Sequence, residues 1–200
     1  MHRARPLAAT IGGILMAVVL SVPAFAASIV ADPAGDTLYK APAFMDIVRA
    51  ELVEDSGTLV FRMTVAAVIP NDPRLPPPAK ASIRWAFPID SDPATFPEGD
   101  PFPRNQPGPS EFNTRVFWDG SAFTASLLDR RPLLEGGEAI LTPLSFTVSG
   151  SEIRVAVPAS LIGASSFRWG AVTVYSSASP GGNNGDHFVD TLQPFFSTWP

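Results

Sequence analysis

From residue 27 onward, apolar side chains recur at every second position in short runs broken by Gly, Pro, Asn and Asp. That period marks strands with one buried face, and a helical stripe is nearly absent. The clearest run is Thr58 to Val68, where Leu59, Phe61, Met63, Val65 and Ala67 share one face and Arg62 and Thr64 take the other. Asp46 to Glu54 precedes it across Asp55-Ser56-Gly57, so the two runs predict a β-hairpin. Ile83, Trp85, Phe87 and Ile89 alternate in a third run, with Ser82, Arg84 and Ala86 facing away. Asp119-Gly120 joins Phe112–Trp118 to Ser121–Leu128, and Ser149-Gly150-Ser151 joins Leu144–Val148 to Ile153–Val157, which predicts two more hairpins. Phe167 to Tyr175 reads as a further strand and His187 to Phe196 as a last one. Pro158-Ala159-Ser160-Leu161-Ile162-Gly163 reads as one helical turn, with proline at its start and glycine past its end. Eight or nine strands with turns between them predict an all-β fold, an antiparallel β-sandwich of jelly-roll type rather than a βαβ fold.

Proline limits where the ladders run. Of the 22 prolines, five fall within residues 70–78 and six within 93–109. A proline lacks the donor that a central strand needs, so both segments are expected to be loops. Ser176 to Asp186, rich in Ser, Gly and Asn, is expected to be a third and flexible one.

The first residues have a different character. Arg3 and Arg5 precede a stretch from Pro6 to Ala31 with no charged residue, and the apolar part from Leu7 to Val22 ends at Pro23-Ala24-Phe25-Ala26. This pattern predicts a cleavable signal peptide over residues 1–26 and a single domain over 27–200, secreted or otherwise extracytoplasmic. Gly12, Gly13 and Thr10 dilute the apolar segment, which argues against a retained membrane anchor. No later hydrophobic segment follows, so no membrane span is expected once the signal is cleaved.

Removing Arg3 and Arg5 from the 14 basic residues leaves 12 against 19 acidic ones, a net charge of −7. No basic patch gathers anywhere, so nucleic acid is not an expected partner. There is no cysteine, which excludes disulfides and leaves stability to the core and to bound ions.

Few residues are arranged for chemistry. His187 is the only histidine after the signal, so zinc sites of several His or Cys ligands are excluded. Asp186 and the serines allow a triad with His187 on paper, but no Gly-x-Ser-x-Gly elbow is present. The carboxylates are more suggestive. Asp32-Pro-Ala-Gly-Asp36 and Asp46 lie near one end of the folded region, and Asp186 and Asp190 near the other. In a sandwich whose termini meet, Asp32, Asp36, Asp46, Asp186 and Asp190 would converge on one rim that suits calcium; the alternative is that Asp and Gly there only make turns and caps. Asp90-Ser91-Asp92, with Glu98 and Asp100, has the look of an oxygen-ligand loop but lacks the later ligands of an EF-hand. Trp85 shares a face with Ile83 and Phe87 and is expected in the core. Trp118 at the Asp119-Gly120 turn, and Trp169 with Tyr175 on one strand face, are either core residues or a flat platform for sugar rings.

These marks together resemble the carbohydrate-binding family 9-like, or DOMON-like, β-sandwich domains of exported bacterial proteins. The resemblance rests on Asp32-Pro-Ala-Gly-Asp36, Asp46-Ile47, the strand Leu59–Val65, Phe87-Pro-Ile-Asp-Ser-Asp92, Pro158-Ala-Ser-Leu-Ile-Gly163, and Asp190 with Pro194. It implies a jelly-roll sandwich with structural calcium, and sugar or heme binding in some members. Carried over residue by residue, Asp32, Asp36, Asp46 and Asp190 match the terminal acidic set, and Asp90 and Asp92 the strand-end pair. The chain departs from the pattern in the proline-rich loop after Asp92 and in Gln193. With His187 alone and Met45 and Met63 structural, no heme is expected, and neither is zinc or a nucleotide.

The expected function is a non-enzymatic binding module for carbohydrate or a cell-surface polymer, stabilised by calcium. A polymer hydrolase using an Asp/Glu pair and a purely structural envelope protein are the alternatives.

Overall fold

The fold is that of a computed structural model, which describes residues 27–38, 41–73, 82–95, 110–178, 184–191 and 196–200, with only the backbone of 176–178 and 184–189. The expected signal peptide lies outside them. Thirteen strands are present among the described residues: β1 Ala27–Ala31, β2 Ile47–Asp55, β3 Thr58–Val65, β4 Ser82–Asp90, β5 Phe112–Trp118, β6 Phe123–Asp129, β7 Ile140–Pro143, β8 Ser145–Ser149, β9 Glu152–Pro158, β10 Phe167–Trp169, β11 Val172–Ala178, β12 Asn184–Thr191 and β13 Ser197–Trp199. Among the described residues there are also two short helices, α1 Arg131–Leu134 and α2 Ala159–Ile162, and a 3-10 turn at Ala43–Met45. No helix among the described residues is long and apolar enough to cross a membrane.

The strands form two antiparallel sheets. One has the order β1-β2-β3-β9-β8 and the other β12-β11-β4-β5-β6-β7, with β10 pairing β4 and β13 pairing β10. The predicted hairpins form as expected. At the β2–β3 turn Ser56 and Gly57 both take positive φ, 51° and 78°, the conformation a two-residue hairpin needs to match strand twist. The predicted helical turn is α2, which ends on Gly163 in the left-handed conformation. Pro88 interrupts no ladder fatally, because its missing donor faces the break between β10 and β11, where Gly170 N–H reaches back to Pro88 O at 3.1 Å.

The alternating faces meet as one core. Phe61 from the first sheet lies 5.2 Å from the ring of Phe87 and 6.1 Å, edge-on, from Trp169 of the second. Trp85 and Trp118 pack on Phe123 at 6.0 and 4.8 Å. Ile83, Trp85, Phe87 and Ile89 are all fully buried, as their alternation predicts.

The structure differs from the sequence reading in four places. β3 ends at Val65, because the Ala66 N–H turns to Asp46 O at 2.8 Å, and Val68 is exposed. Strands β1, β7 and β13 were not expected: β1 is a half-exposed edge, and β7 and β13 span only four and three residues, too short for periodicity to register. Ser176 and Asp186 lie within β11 and β12 and pair with each other, so both ends of the polar stretch are strand where a loop was expected; residues 179–183 lie outside the described residues. The run from Phe167 to Tyr175 is split by Gly170 and Ala171 into β10 and β11.

Two substitutions probe this core. Phe61→Ala should cost about 3–5 kcal/mol in urea unfolding, since both sheets pack on that ring. Thr114 is fully buried on the inner face of β5 with a hydroxyl that has no hydrogen-bond partner among the described residues. Thr114→Val keeps the shape and removes the orphan group, and should raise stability by about 1 kcal/mol in the same assay.

Candidate metal centre

Two aspartates of one early turn and a third from near the other end of the chain converge where the first and last segments meet. Asp32 follows β1 and is tied to β2 by its N–H on Val48 O at 3.0 Å. Asp36 ends the turn that begins there. Asp190 sits near the end of β12, opposite Thr173 of β11. One carboxylate oxygen from each of Asp32, Asp36 and Asp190 lies within 4.8 Å of the others. Asp32 and Asp190 are buried and Asp36 is exposed, so the group opens to solvent on one side.

Local structure sets each ligand's place. Gly35 takes φ +88°, a conformation that strains any residue with a Cβ, and its N–H donates to Asp46 Oδ2 at 2.8 Å. Asp46 thus pins the Asp32–Asp36 turn from behind. It does not belong to the converging group, in contrast to the sequence expectation; its Oδ1 is buried without a hydrogen-bond partner among the described residues. Asp190 is held by two amides, Ile47 N–H to Oδ2 at 2.5 Å and Thr191 N–H to Oδ1 at 2.8 Å. The termini also meet directly, with Ser28 Oγ 3.1 Å from Ser197 Oγ and within 3.2 Å of the Trp169 indole N–H.

The electrostatics are those of a site short of positive charge. Burial, then the charges of Asp32 and Asp36, push the Asp190 carboxyl up to about 7, against the two amides that favour its charged form. The donor set is oxygen only, which suits a hard cation. Two oxygens bound to one calcium at about 2.3–2.6 Å stand at most about 5 Å apart, and the observed spread fits that limit.

The other candidate residues fall elsewhere. Trp118 is 5% exposed and Trp169 is fully buried, so neither ring lies on an open face and neither offers a sugar platform. Tyr175 packs partly buried against the same core. Asp90 and Asp92 do not form an oxygen-ligand loop: Asp90 binds Arg168, and Asp92 Oδ1 accepts the Ala94 N–H at 3.0 Å. Glu98 and Asp100 lie outside the described residues, and His187 and Asp186 are described only as backbone within β12. Sequence reasoning passed over Glu111, a lone acid before β5 that is almost wholly buried. Nothing in its local pattern distinguishes it from a surface residue.

The aspartate cluster carries its own pH signature. The fold binds a proton on Asp190 that the unfolded chain releases near pH 4, so this group's contribution to stability falls as pH rises from about 4 to about 7. In chelator-treated protein, Asp36→Asn should therefore be more stable than wild type at pH 8. The difference should shrink on acidification below pH 7, where Asp190 becomes neutral, as read by thermal unfolding across pH.

No family model, curated protein or solved structure matches the chain.

Proposed function

We propose that the chain is an exported, non-enzymatic β-sandwich module whose first and last segments are clamped together by calcium at Asp32, Asp36 and Asp190. The observation that carries this reading is the convergence of two carboxylates of the Asp32–Asp36 turn with Asp190, remote in sequence and buried enough to be unsettled without a counter-charge. A cation supplies that charge, and stabilises the fold by binding it and not the unfolded chain. The remaining oxygens of a calcium shell would come from backbone carbonyls and water.

The signal-like segment over residues 1–26 supports placement outside the cytoplasm, where modules of this kind bind calcium with dissociation constants of about 0.1–1 mM. The resemblance to carbohydrate-binding family 9-like domains points the same way. The buried tryptophans lend no support to sugar stacking, so the role assigned to the ion is architectural.

Calcium added to chelator-treated protein at pH 8 should raise the melting midpoint, by about 2.7 kcal/mol of stabilisation at a hundredfold excess over the dissociation constant. Asp36→Asn, which removes an exposed ligand and no core contact, should lose most of that response. Magnesium at equal concentration should do less, since it keeps its own water shell. An equal calcium response in wild type and Asp36→Asn, or none at about 10 mM, tenfold above the weak end of that range, rules out the clamp.

A further inference from the structure

Four of the seven large apolar side chains exposed among the described residues fall within 133–141: Leu133 and Leu134 of α1, and Ile140 and Leu141 of β7. They stand at the side of the sandwich where both sheets stop, the second at β7 and the first at β8, with Leu144 alone between the two strands. Both edge strands come from one stretch, residues 139–151, that holds no charged side chain in a chain whose residues are 16% charged. A strand edge presents unpaired N–H and C=O groups, and edges that stay single are commonly guarded by charge. The other end of the first sheet is tied down instead, through Ser28 of β1 to Ser197 of β13.

The β6–β7 ladder shows what the β7 edge offers. Leu144 N–H donates to Ala125 O at 3.1 Å, so Thr142 and Ile140 also turn their backbone groups to β6, while Leu141 and Pro143 turn theirs outward. Leu141 therefore presents both an N–H and a C=O at the edge, and Pro143 a C=O only. A proline is tolerated at such an outward position, and here it removes one donor without closing the edge.

An identical strand answers these groups. Two β7 strands set antiparallel and centred on Leu141 exchange the Leu141 N–H and C=O in both directions, and each Pro143 carbonyl meets the Ala139 N–H of the other copy. The two Leu141 side chains then meet on one face, and Ile140 lies beside Thr142 of the other copy on the opposite face. Charge points to the same occupant. Beyond residue 26 the chain carries 19 acidic residues against 12 basic ones, so copies repel wherever charged surface meets and approach best through a strip that has none. A contact in which the same strand serves both partners closes as a dimer. We propose that β7 is the interface of a homodimer, in which two copies pair their β7 edges about Leu141 and continue the second sheet across the two-fold axis.

Sedimentation equilibrium of the full chain should give twice the chain mass. Leu141→Lys changes a side chain that is more than half exposed and sets two like charges at the axis, so it should weaken the dimer by about a hundredfold or more. Val68→Lys, at an apolar residue that is more exposed still, should leave the dimer unchanged. Amide hydrogen exchange reads the same contact without a substitution: the outward Leu141 N–H should exchange slowly in the dimer and fast on dilution to monomer. A wild type still monomeric at about 1 mM overturns the proposal, as does a dimer whose Leu141 amide exchanges fast. So does a dimer that Leu141→Lys leaves intact or that Val68→Lys weakens equally.

Discussion

The stretch from Ala43 to Ile47 enters the edge of the sandwich with its backbone polar groups turned inward, and the second sheet has to satisfy them. It does so with three side chains. The Trp85 indole N–H donates to Phe44 O at 3.1 Å, the Thr173 hydroxyl to Met45 O at 2.6 Å, and the Asp190 carboxylate accepts the Ile47 N–H. A buried backbone group without a partner costs about 1–3 kcal/mol, so these bonds are directional ties that apolar packing cannot replace. They set how β2 sits over β4, β11 and β12, and they explain why a carboxylate is buried where one would otherwise be excluded.

Once Asp190 is committed to that tie, its charge becomes the local problem. Asp32 and Asp36 are brought next to it by the β1–β2 pairing and by the Gly35 turn that Asp46 pins. The cluster gathers acids where the fold requires one of them, and the cheapest compensation from outside the chain is a cation. The pair at Asp90 and Glu111 is built differently. There Arg168 already binds Asp90, so the shortfall is one of hydrogen-bond donors to the second carboxylate oxygens rather than of net charge. Burial makes both groups of acids costly, but the neighbours decide what kind of partner relieves each.

Much of the architecture was legible along the chain because side chains in a strand alternate strictly. The runs around Phe61, Phe87 and Val116 could be placed and faced without knowing their partners, and the hairpin turns carried glycine where positive φ is needed. The terminal aspartates were legible for a weaker reason, that chain ends tend to meet. This brought Asp32, Asp36 and Asp190 into the right group but put Asp46 in it too, one layer too close. Trp118 and Trp169 show the converse. Alternation places a ring on a face, but whether that face is covered depends on strands remote in sequence, as β3 covers Trp169 through Phe61.

What the sequence determined by itself is what acts over a few residues: the period of two, the turns, the exclusion of proline from central ladders and of cysteine from any staple. What only the tertiary structure decided is every relation between residues far apart, because nothing local records it. Ile47 meets Asp190, Asp90 meets Arg168, Glu111 meets Ser91, and the tryptophans turn inward only when two sheets close over one another. The charges that matter are those whose water was removed by that closure, and desolvation is a property of the packed molecule and not of the chain.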